Sequence, residues 1–597
     1  MSSLPSDPAF APSATETSHA MLICWGQFAQ EIGYIERMQA VPVPQRTRDH
    51  APQRKLIQLQ AAIMSGHAYL QDISRAAHPL DEDIASAQAW GQDGWADYSG
   101  VSRTLKVCTD ETVAAVRQVR MVVSRSFIDR EVMLALRGRG FLVYDGDLTG
   151  RPVSNTSRSY PGAAFGWMDD EVRLGYQAAL VSMESPTYGR QWLSVKQHPG
   201  DTVSASQAEA MVQAAEASTE VRPRRRTELL IQRIAEQEVL LQEALREQTH
   251  AEERLGCVQQ RLSEVQEERQ QLSQDLQQLE LTYQAQERPE RPHSRLSQAR
   301  AKLAVREKRL GRRQRDVAQA KHGLEHSQQK VTALQAELNQ FRQRLIRFEE
   351  DNTTNHAPVR AIFRLDAGFG SSANIALLIE MGYDVYTKAS NDKVVQTMRG
   401  KVEPDCSWTP VGKNAEMATW EQMKVASCPY PLDVGLERFH KGDKIEYAVL
   451  LHYGEDRAAA DPVAWFAFYN GRQTIEAGIK EGKGVFQMHH LKVRSAAGLA
   501  IQEEMTLFAA NFVRWAAEWM QSHSATASPT FQRAQTNVKQ LVCIAAHTSA
   551  WIIWQPQGCL LRFKDLSAFA GTEVVIGHGS AFQLALPLFK SCAFVPD

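Results

Sequence analysis

The chain has no C-x-x-C pair: its eight cysteines are scattered, so neither a zinc finger nor a disulfide framework is indicated, and a reducing compartment is expected. It has no uninterrupted apolar run of bilayer-spanning length. Its first residues, MSSLPSDPAFAPSATETSHA, lack the basic start and apolar stretch of a secretion signal. It has almost no net charge, at −2 with a pI near 6.8, so no global basic field announces a polyanionic partner. These absences predict a soluble, cytoplasmic protein with no membrane partner. At 597 residues and 43% hydrophobic the chain is long enough for several cored domains, while a mean hydropathy of −0.37 requires a large polar segment as well.

Residues 1–20, rich in Ser, Pro and Ala, are expected to be disordered. A helical pattern fills 21–138, with Asp110 and Glu111 before an apolar-periodic run as a helix start. This region carries no specific DNA-binding motif, and such a role stays open. FLVYDGDLTG then reads as a strand, and RLGYQAALVSM and RQWLSVKQ as two more across the turn-like ESPTYG. A helix is expected from about Ser204.

The polar segment is 223–352. Leu296, Leu303, Leu310, Val317, Leu324, Val331, Leu338 and Leu345 recur every seven residues. In the first half, the row Ile234, Leu241, Gln248, Leu255, Leu262, Arg269, Leu276 alternates with Ala244, Ala251, Val258, Val265, Leu272, Leu279, which is a coiled-coil seam. Pro289 and Pro292, near 287–294, interrupt the helix. Two arms of roughly 80–90 Å are expected to fold back as an antiparallel hairpin or to pair between chains. The clusters Arg222, Arg224, Arg225, Arg226 and Arg309, Arg312, Arg313, Arg315 are solvated coil surface or phosphate contacts.

After the rod, APVRAIFRLDAGFGSSANIALLIEMGYDVYTKAS reads as strand, turn, helix, strand. Residues 391–467 hold β candidates, notably KIEYAVLLHY and PVAWFAFY. An amphipathic helix, MTLFAANFVRWAAEWM, ends a segment at about 522. The linker SHSATASPT and a small β-rich region, 530–597, follow.

One spacing carries chemistry. Tyr469, Arg472, Glu476 and Lys483 fall at roughly 0°, 300°, 340° and 320° on a helix, within an arc of about 60°. All four are expected on one face of a single helix, a face that presents a carboxylate flanked by two cations and a phenol, suited to a metal ion beside a phosphodiester. A solvated face of i,i+4 charge pairs is the plain alternative. Metal-assisted phosphodiester cleavage needs further carboxylates on rigid elements around two cations roughly 4 Å apart. Two apolar strands end in acids: FLVY runs into Asp145 and then Asp147, and AIFRL into Asp366 before Gly368 and Gly370. Singly each has a plainer reading, Asp145-Gly146 as a turn dipeptide, Asp147 as a loop cap and Asp366 as a helix cap.

Taken together, these residues resemble a bacterial insertion-sequence transposase of the DDE type, in the branch marked Y-x2-R-x3-E-x6-K. Tyr469, Arg472, Glu476 and Lys483 match that spacing throughout. The resemblance spans about Arg139–Gln521 apart from the rod, which is a departure from it. It implies an RNase H-like α/β core split into 139–222 and 353–522, with the β-rich insertion 391–467 and the coiled coil as a second insertion. It also implies Asp145 or Asp147, Asp366 and Glu476 as catalytic ligands of two Mg²⁺ (or Mn²⁺) ions, with Arg472 and Lys483 on phosphate and Tyr469 on phosphate or a displaced base. The implied substrate is double-stranded DNA, at transposon ends and target, on the nucleoid. A homodimer on that DNA is implied.

Two other classes compete. LDAGFGSSAN resembles an acidic-Gly-x-Gly loop for S-adenosylmethionine or a nucleotide, but Lys388 and Ser390 stand where a ribose-binding acid is expected. Stabilisation by S-adenosylmethionine rather than by metal with DNA would favour it. The third class is an inactive coiled-coil DNA-binding scaffold. His489, His490 and His578 have no metal-ligand neighbours in sequence.

Overall fold

The computed structural model describes residues 14–154, 160–168, 170–403, 406–425, 427–490, 492–523, 538–555, 558–564 and 573–577. It divides into two compact units: unit 1 is Met1–Arg224 with Ala357–Asp597, and unit 2 is Arg225–His356.

Unit 1 opens with strand β1 (Ala14–Thr17), which lies inside the stretch expected to be disordered; residues 1–13 fall outside the described residues. Helices α1 (Ala20–Glu31), α2 (Tyr34–Gln39), α3 (Pro52–Met64), α4 (Asp72–Arg75), α5 (Ile84–Ala89), α6 (Tyr98–Val107) and α7 (Asp110–Arg139) follow. α7 starts where Thr109 closes a capping box with Thr112, and stops at Gly140, left-handed at φ 80°.

β2 (Phe141–Pro152), β3 (Ala164–Met168), β4 (Glu171–Ser185) and β5 (Gly189–Pro199) come next, then α8 (Ala208–Thr219). Unit 2 is inserted here as α9 (Thr227–Ala285) and α10 (Arg295–Thr354). The chain returns through β6 (Arg360–Leu365), α11 (Ser372–Glu380), β7 (Asp384–Lys388) and α12 (Asp392–Gly400). Four strands follow, β8 (Thr409–Gly412), β9 (Ala415–Met423), β10 (Leu432–Lys441) and β11 (Lys444–Tyr453). α13 (Pro462–Asn470), α14 (Gln473–Gly484), α15 (Ala496–His523), α16 (Lys539–Cys543), β12 (Ala550–Gln555), β13 (Gly558–Phe563) and β14 (Glu573–Gly577) complete the described elements. The linker at SHSATASPT beyond His523, and His578, lie outside the described residues.

One ten-stranded sheet organises unit 1, in the order β3-β4-β2-β6-β7-β11-β10-β9-β8, with β5 also paired to β4. β2, β6 and β7 run parallel; β4 is antiparallel to β2 and to β5. The strands 409–453 do not stand apart: β11 adds antiparallel to β7 and extends the same sheet. α8 packs on one face, where Met211 leaves no room for a Cβ at Gly146, 2.7 Å away. α13 covers the other face, where Trp465 and Tyr469 join Val143, Ile362, Tyr386 and Leu450 in one core. The N-terminal helices, α15 and the small sheet β1-β12-β13-β14 share a second core built round Trp25, Phe508, Phe512 and Trp515.

Two expectations fail locally. PVAWFAFY forms helix α13 rather than a strand, because Asp461 caps the Ala464 amide and Pro462 suits the first helical turn. The Tyr-Arg-Glu-Lys spacing does not lie on one continuous helix: α13 ends at Asn470 and α14 begins at Gln473. The cause is Arg364, whose Nη1 donates to the Phe468 carbonyl at 3.0 Å. The Arg472 amide turns instead to Tyr469 O, and Thr474 and Ile475 likewise make i→i−3 bonds. A side chain inserted into the ladder breaks the helix.

In unit 2 the long helices α9 and α10 pack on each other. The pairs Glu238–Arg342 (2.7 Å), Glu247–Lys330 (2.6 Å), Glu268–Arg306 (3.0 Å) and Glu280–Arg300 (2.7 Å) run in opposite directions along them. Residues 286–294, carrying both prolines, join the two.

Asp145 and Arg364 face each other across β2 and β6, both 2% exposed, with two bonds of 2.7 and 2.8 Å. Removing one partner strands a buried charge. Asp145→Ala and Arg364→Met are each expected to lower the unfolding free energy by about 3–5 kcal/mol. The double variant is expected to lose less than their sum; urea unfolding of the four proteins measures both, and strict additivity would reject the coupling.

Candidate active site

The site grows from the register of β2 on β6. Asp145 is level with Arg364 and Gly146 with Leu365, so the next residues, Asp147 and Asp366, emerge side by side. Alternation along each strand points Asp145 and Asp147 to the face that also carries Arg364. β2 continues unbroken to Pro152, so Asp145-Gly146 is not a turn. Nor does Asp366 cap the following helix: Ser371 does, accepting from the Asn374 amide. Asp366 instead opens a single tight turn whose close approach to β7 demands glycine. A Cβ on Gly370 would sit 1.8 Å from the Lys388 carbonyl. The Gly368 position is similarly closed by Ser204, at 2.9 Å, so the glycines of DAGFG are occupied by the protein's own packing.

From the far side α14 brings Glu476 in its first turn, and Arg472 joins the groups. Its Nη2 donates to Glu476 Oε1 at 2.9 Å and its Nη1 lies 3.4 Å from Asp147 Oδ2. Arg472 and Asp147 are 12% and 13% exposed, whereas Glu476 is 44% exposed, so the cluster opens on the Glu476 side. Asp366 Oδ1 is buried and makes no hydrogen bond.

The electrostatics follow from crowding acids in a half-dry pocket. Burial and then the charge of Asp366 push the Asp147 carboxyl up to about 7, against the pull of Arg472. Burial also raises Asp366, which Arg472 and the Gly368 and Phe369 amides partly offset. Burial works against the charge of Arg472, but Tyr469, Asp147, Asp366 and Glu476 together keep it more basic than an ordinary arginine. Three acids thus share one guanidinium, and burial favours keeping the Asp147 and Asp366 carboxyls protonated.

The structure thus brings Asp147, Asp366, Arg472 and Glu476 together. Asp145 lies on the same face but is closed off by Arg364, which also reaches Glu184 at 3.1 Å. Lys483 is seven residues beyond Glu476 on α14, about 10 Å along the axis. Tyr469 is 4% exposed and donates its hydroxyl to the Leu365 carbonyl at 3.2 Å. It ties α13 to the strand that delivers Asp366, and its ring is not presented to a base. Two residues with no assigned role in the sequence pattern of the acids, Arg364 and Lys388, support this arrangement. Arg364 signals itself as a cation inside an apolar strand. Lys388 lies 5.6 Å from the Tyr469 ring centre and 3.1 Å from the fully buried Glu437.

Among the described residues no three His, Cys, Asp or Glu side chains already stand at metal-holding distance; Arg472 bridges two of the acids here. The donor set nevertheless fits an oxygen-seeking divalent cation: three carboxyl groups with a single guanidinium among them, one carrying an unbonded buried oxygen. A cleft of about 550 Å³ lined by Leu148, Trp167, Thr202, Ser204 and Gly368 includes none of Asp147, Asp366, Arg472 and Glu476 in its walls. No helix among the described residues is long and apolar enough to cross a membrane.

Asp147 has a measurable signature. Between pH 3.8, its ordinary value, and about 7, the unfolded chain releases this proton while the folded one retains it. Its contribution to stability therefore declines as pH rises through that window. In metal-free buffer, Asp147→Asn is expected to lose less melting temperature than the parent between pH 4 and pH 8. An equal or larger loss in the variant would reject the raised value.

No protein-family model matches the chain, and no curated protein gives a significant match, so the functional reading rests on this geometry.

Proposed function

We propose that unit 1 is the catalytic core of a DDE transposase, an RNase H-like nuclease and strand transferase acting on double-stranded DNA. The single observation that carries this is the convergence of Asp147, Asp366 and Glu476, from the ends of two adjacent parallel strands and a crossing helix, around Arg472. The strand order β5-β4-β2-β6-β7, with the first three antiparallel and the last three parallel, supports an RNase H-like core. The strands 409–453 correspond to the β-rich insertion of that class and the long paired helices to a second one, an antiparallel coiled-coil hairpin.

Asp147, Asp366 and Glu476 would hold two Mg²⁺ or Mn²⁺ ions, which when bound supply activation of an attacking oxygen and neutralisation of the leaving one. The protein's own contributions follow from its geometry. Asp147, with its proton held to about neutrality, would have to release that proton to serve as a ligand, so metal affinity would strengthen as pH rises towards 8. Arg472 spans two carboxylates through separate Nη atoms, and the same planar fork would suit non-bridging phosphate oxygens at this edge. Tyr469 and Arg364 fix the helices that carry Arg472 and Glu476. The partly exposed edge at Glu476 is where a DNA strand would enter. Action on two element ends would call for a homodimer on DNA.

The test is Glu476→Gln assayed for Mg²⁺- or Mn²⁺-dependent cutting of element-end DNA. Loss of about 10³-fold or more in rate is expected if a metal ligand has been removed. Undiminished cutting removes the reading, and thermal stabilisation of the parent protein by S-adenosylmethionine but not by divalent metal would redirect it to the other enzyme class.

A further inference from the structure

The two long helices of unit 2 carry opposite charge. α9 has twelve acidic and five basic residues, and α10 has fourteen basic and seven acidic. Several of the basic residues are spent between the helices, Arg300 on Glu280, Arg306 on Glu268 and Lys330 on Glu247. Others are not. Lys308, Arg312 and Arg315 are exposed and fall within an arc of about 60° at 100° per residue. They lie on the side of α10 turned away from the seam residues Leu303, Leu310 and Val317. Lys302 and Arg309, also exposed, flank the same stretch. Among the described residues none of these five has a carboxylate partner; Arg315 turns its Nε to the Gly311 carbonyl at 3.3 Å. An ordinary coiled-coil surface mixes both signs in i,i+4 pairs. Here only Glu307 and Asp316 interrupt the run from Lys302 to Arg315 and its neighbour, and each is already engaged, by Arg269 at 3.5 Å and Arg313 at 3.1 Å.

We infer that this stripe of α10 is a sequence-independent binding surface for the phosphate backbone of double-stranded DNA. The inference rests on the reading of unit 1 as a DNA-processing enzyme, which supplies the polyanion. From Lys302 to Arg315 the stripe runs about 20 Å at 1.5 Å per residue, the span of roughly six nucleotides at 3.4 Å each. Three of the five cations are arginines, whose planar forks match phosphate oxygens. The contact adds affinity and tethers the duplex without reading bases, and its strength must fall steeply with salt.

The experiment compares the full-length protein with the triple variants Lys308→Glu/Arg312→Glu/Arg315→Glu and Lys308→Gln/Arg312→Gln/Arg315→Gln. All proteins carry Glu476→Gln so that no DNA is cut. Binding to a duplex of arbitrary sequence is measured from 50 to 200 mM salt without divalent metal. If three phosphate contacts are lost, the slope of log affinity against log salt is expected to shrink by about 3, at roughly 0.9 per contact, in both variants. Helical circular dichroism is expected to stay unchanged, because none of the three faces the seam. An unaltered slope in both variants overturns the proposal while leaving the transposase reading to its own cutting assay. Salt-sensitive self-association of the parent protein without DNA, abolished by the variants, also overturns it, since the stripe would then serve the acidic helix of a second copy.

Discussion

The parallel register of β2 against β6 governs how the buried charges of this molecule are arranged. A pairing that sets Asp145 beside Arg364 also sets the next inward-facing positions, Asp147 and Asp366, beside each other. The lower pair is an acid and a base and closes into the core. The upper pair is two acids, repulsive and desolvated, which no sheet would place together for stability. Burial, and after it the charge of Asp366, pushes the Asp147 carboxyl up to about 7, and burial raises Asp366 as well. A one-residue slip would turn the acids to the α8 face, where Met211 already crowds Gly146. The side chain that locks the register, Arg364, is therefore as decisive as the acids themselves.

Arg364 acts a second time on the helical side. By taking the Phe468 carbonyl it ends α13 and restarts the chain as α14, with Arg472 at the junction. A straight helix would have to satisfy both the buried contact of Tyr469 with Leu365 and the reach of Glu476 towards the strand ends. The break separates the two demands: α13 is buried on the sheet through Trp465 and Tyr469, while α14 leaves Glu476 at the open edge. One guanidinium thus neutralises Asp145, fixes the strand pairing and sets the angle at which the third carboxylate arrives.

Part of this arrangement is legible in the sequence. The seven-residue repeats and the two prolines marked the paired helices and their join, because a coiled-coil seam is a local, periodic pattern. The apolar strands ending in Asp147 and Asp366 were readable because buried parallel strands are continuous hydrophobic runs. The spacing of Arg472 and Glu476 singled out two residues that pair with each other and, through Arg472, with Asp147. What escaped was set by tertiary contact. PVAWFAFY has strand-like composition and becomes helical through one cap at Asp461. The break at Gly471 depends on an arginine more than a hundred residues earlier. Asp145 and Asp147 are indistinguishable in a strand pattern, and only the neighbour across β6 separates them.

The insertion of some 130 residues between α8 and β6 follows the same economy. Closing a loop costs little more as it lengthens, provided its ends meet. In unit 1 the chain leaves and returns at one point, with the Val359 amide donating to the Arg222 carbonyl at 3.2 Å. In unit 2 the first and last turns are clasped: Arg225 and Asn352 exchange backbone-to-amide bonds of 2.8 and 3.0 Å, and Arg225 Nε meets Asp351 at 2.8 Å. Opposite charge on α9 and α10 favours pairing each helix with the other rather than with its own kind. A helix pair that returns to its starting point leaves the β2–β6 register undisturbed, because neither strand has to move to let the long segment out and back.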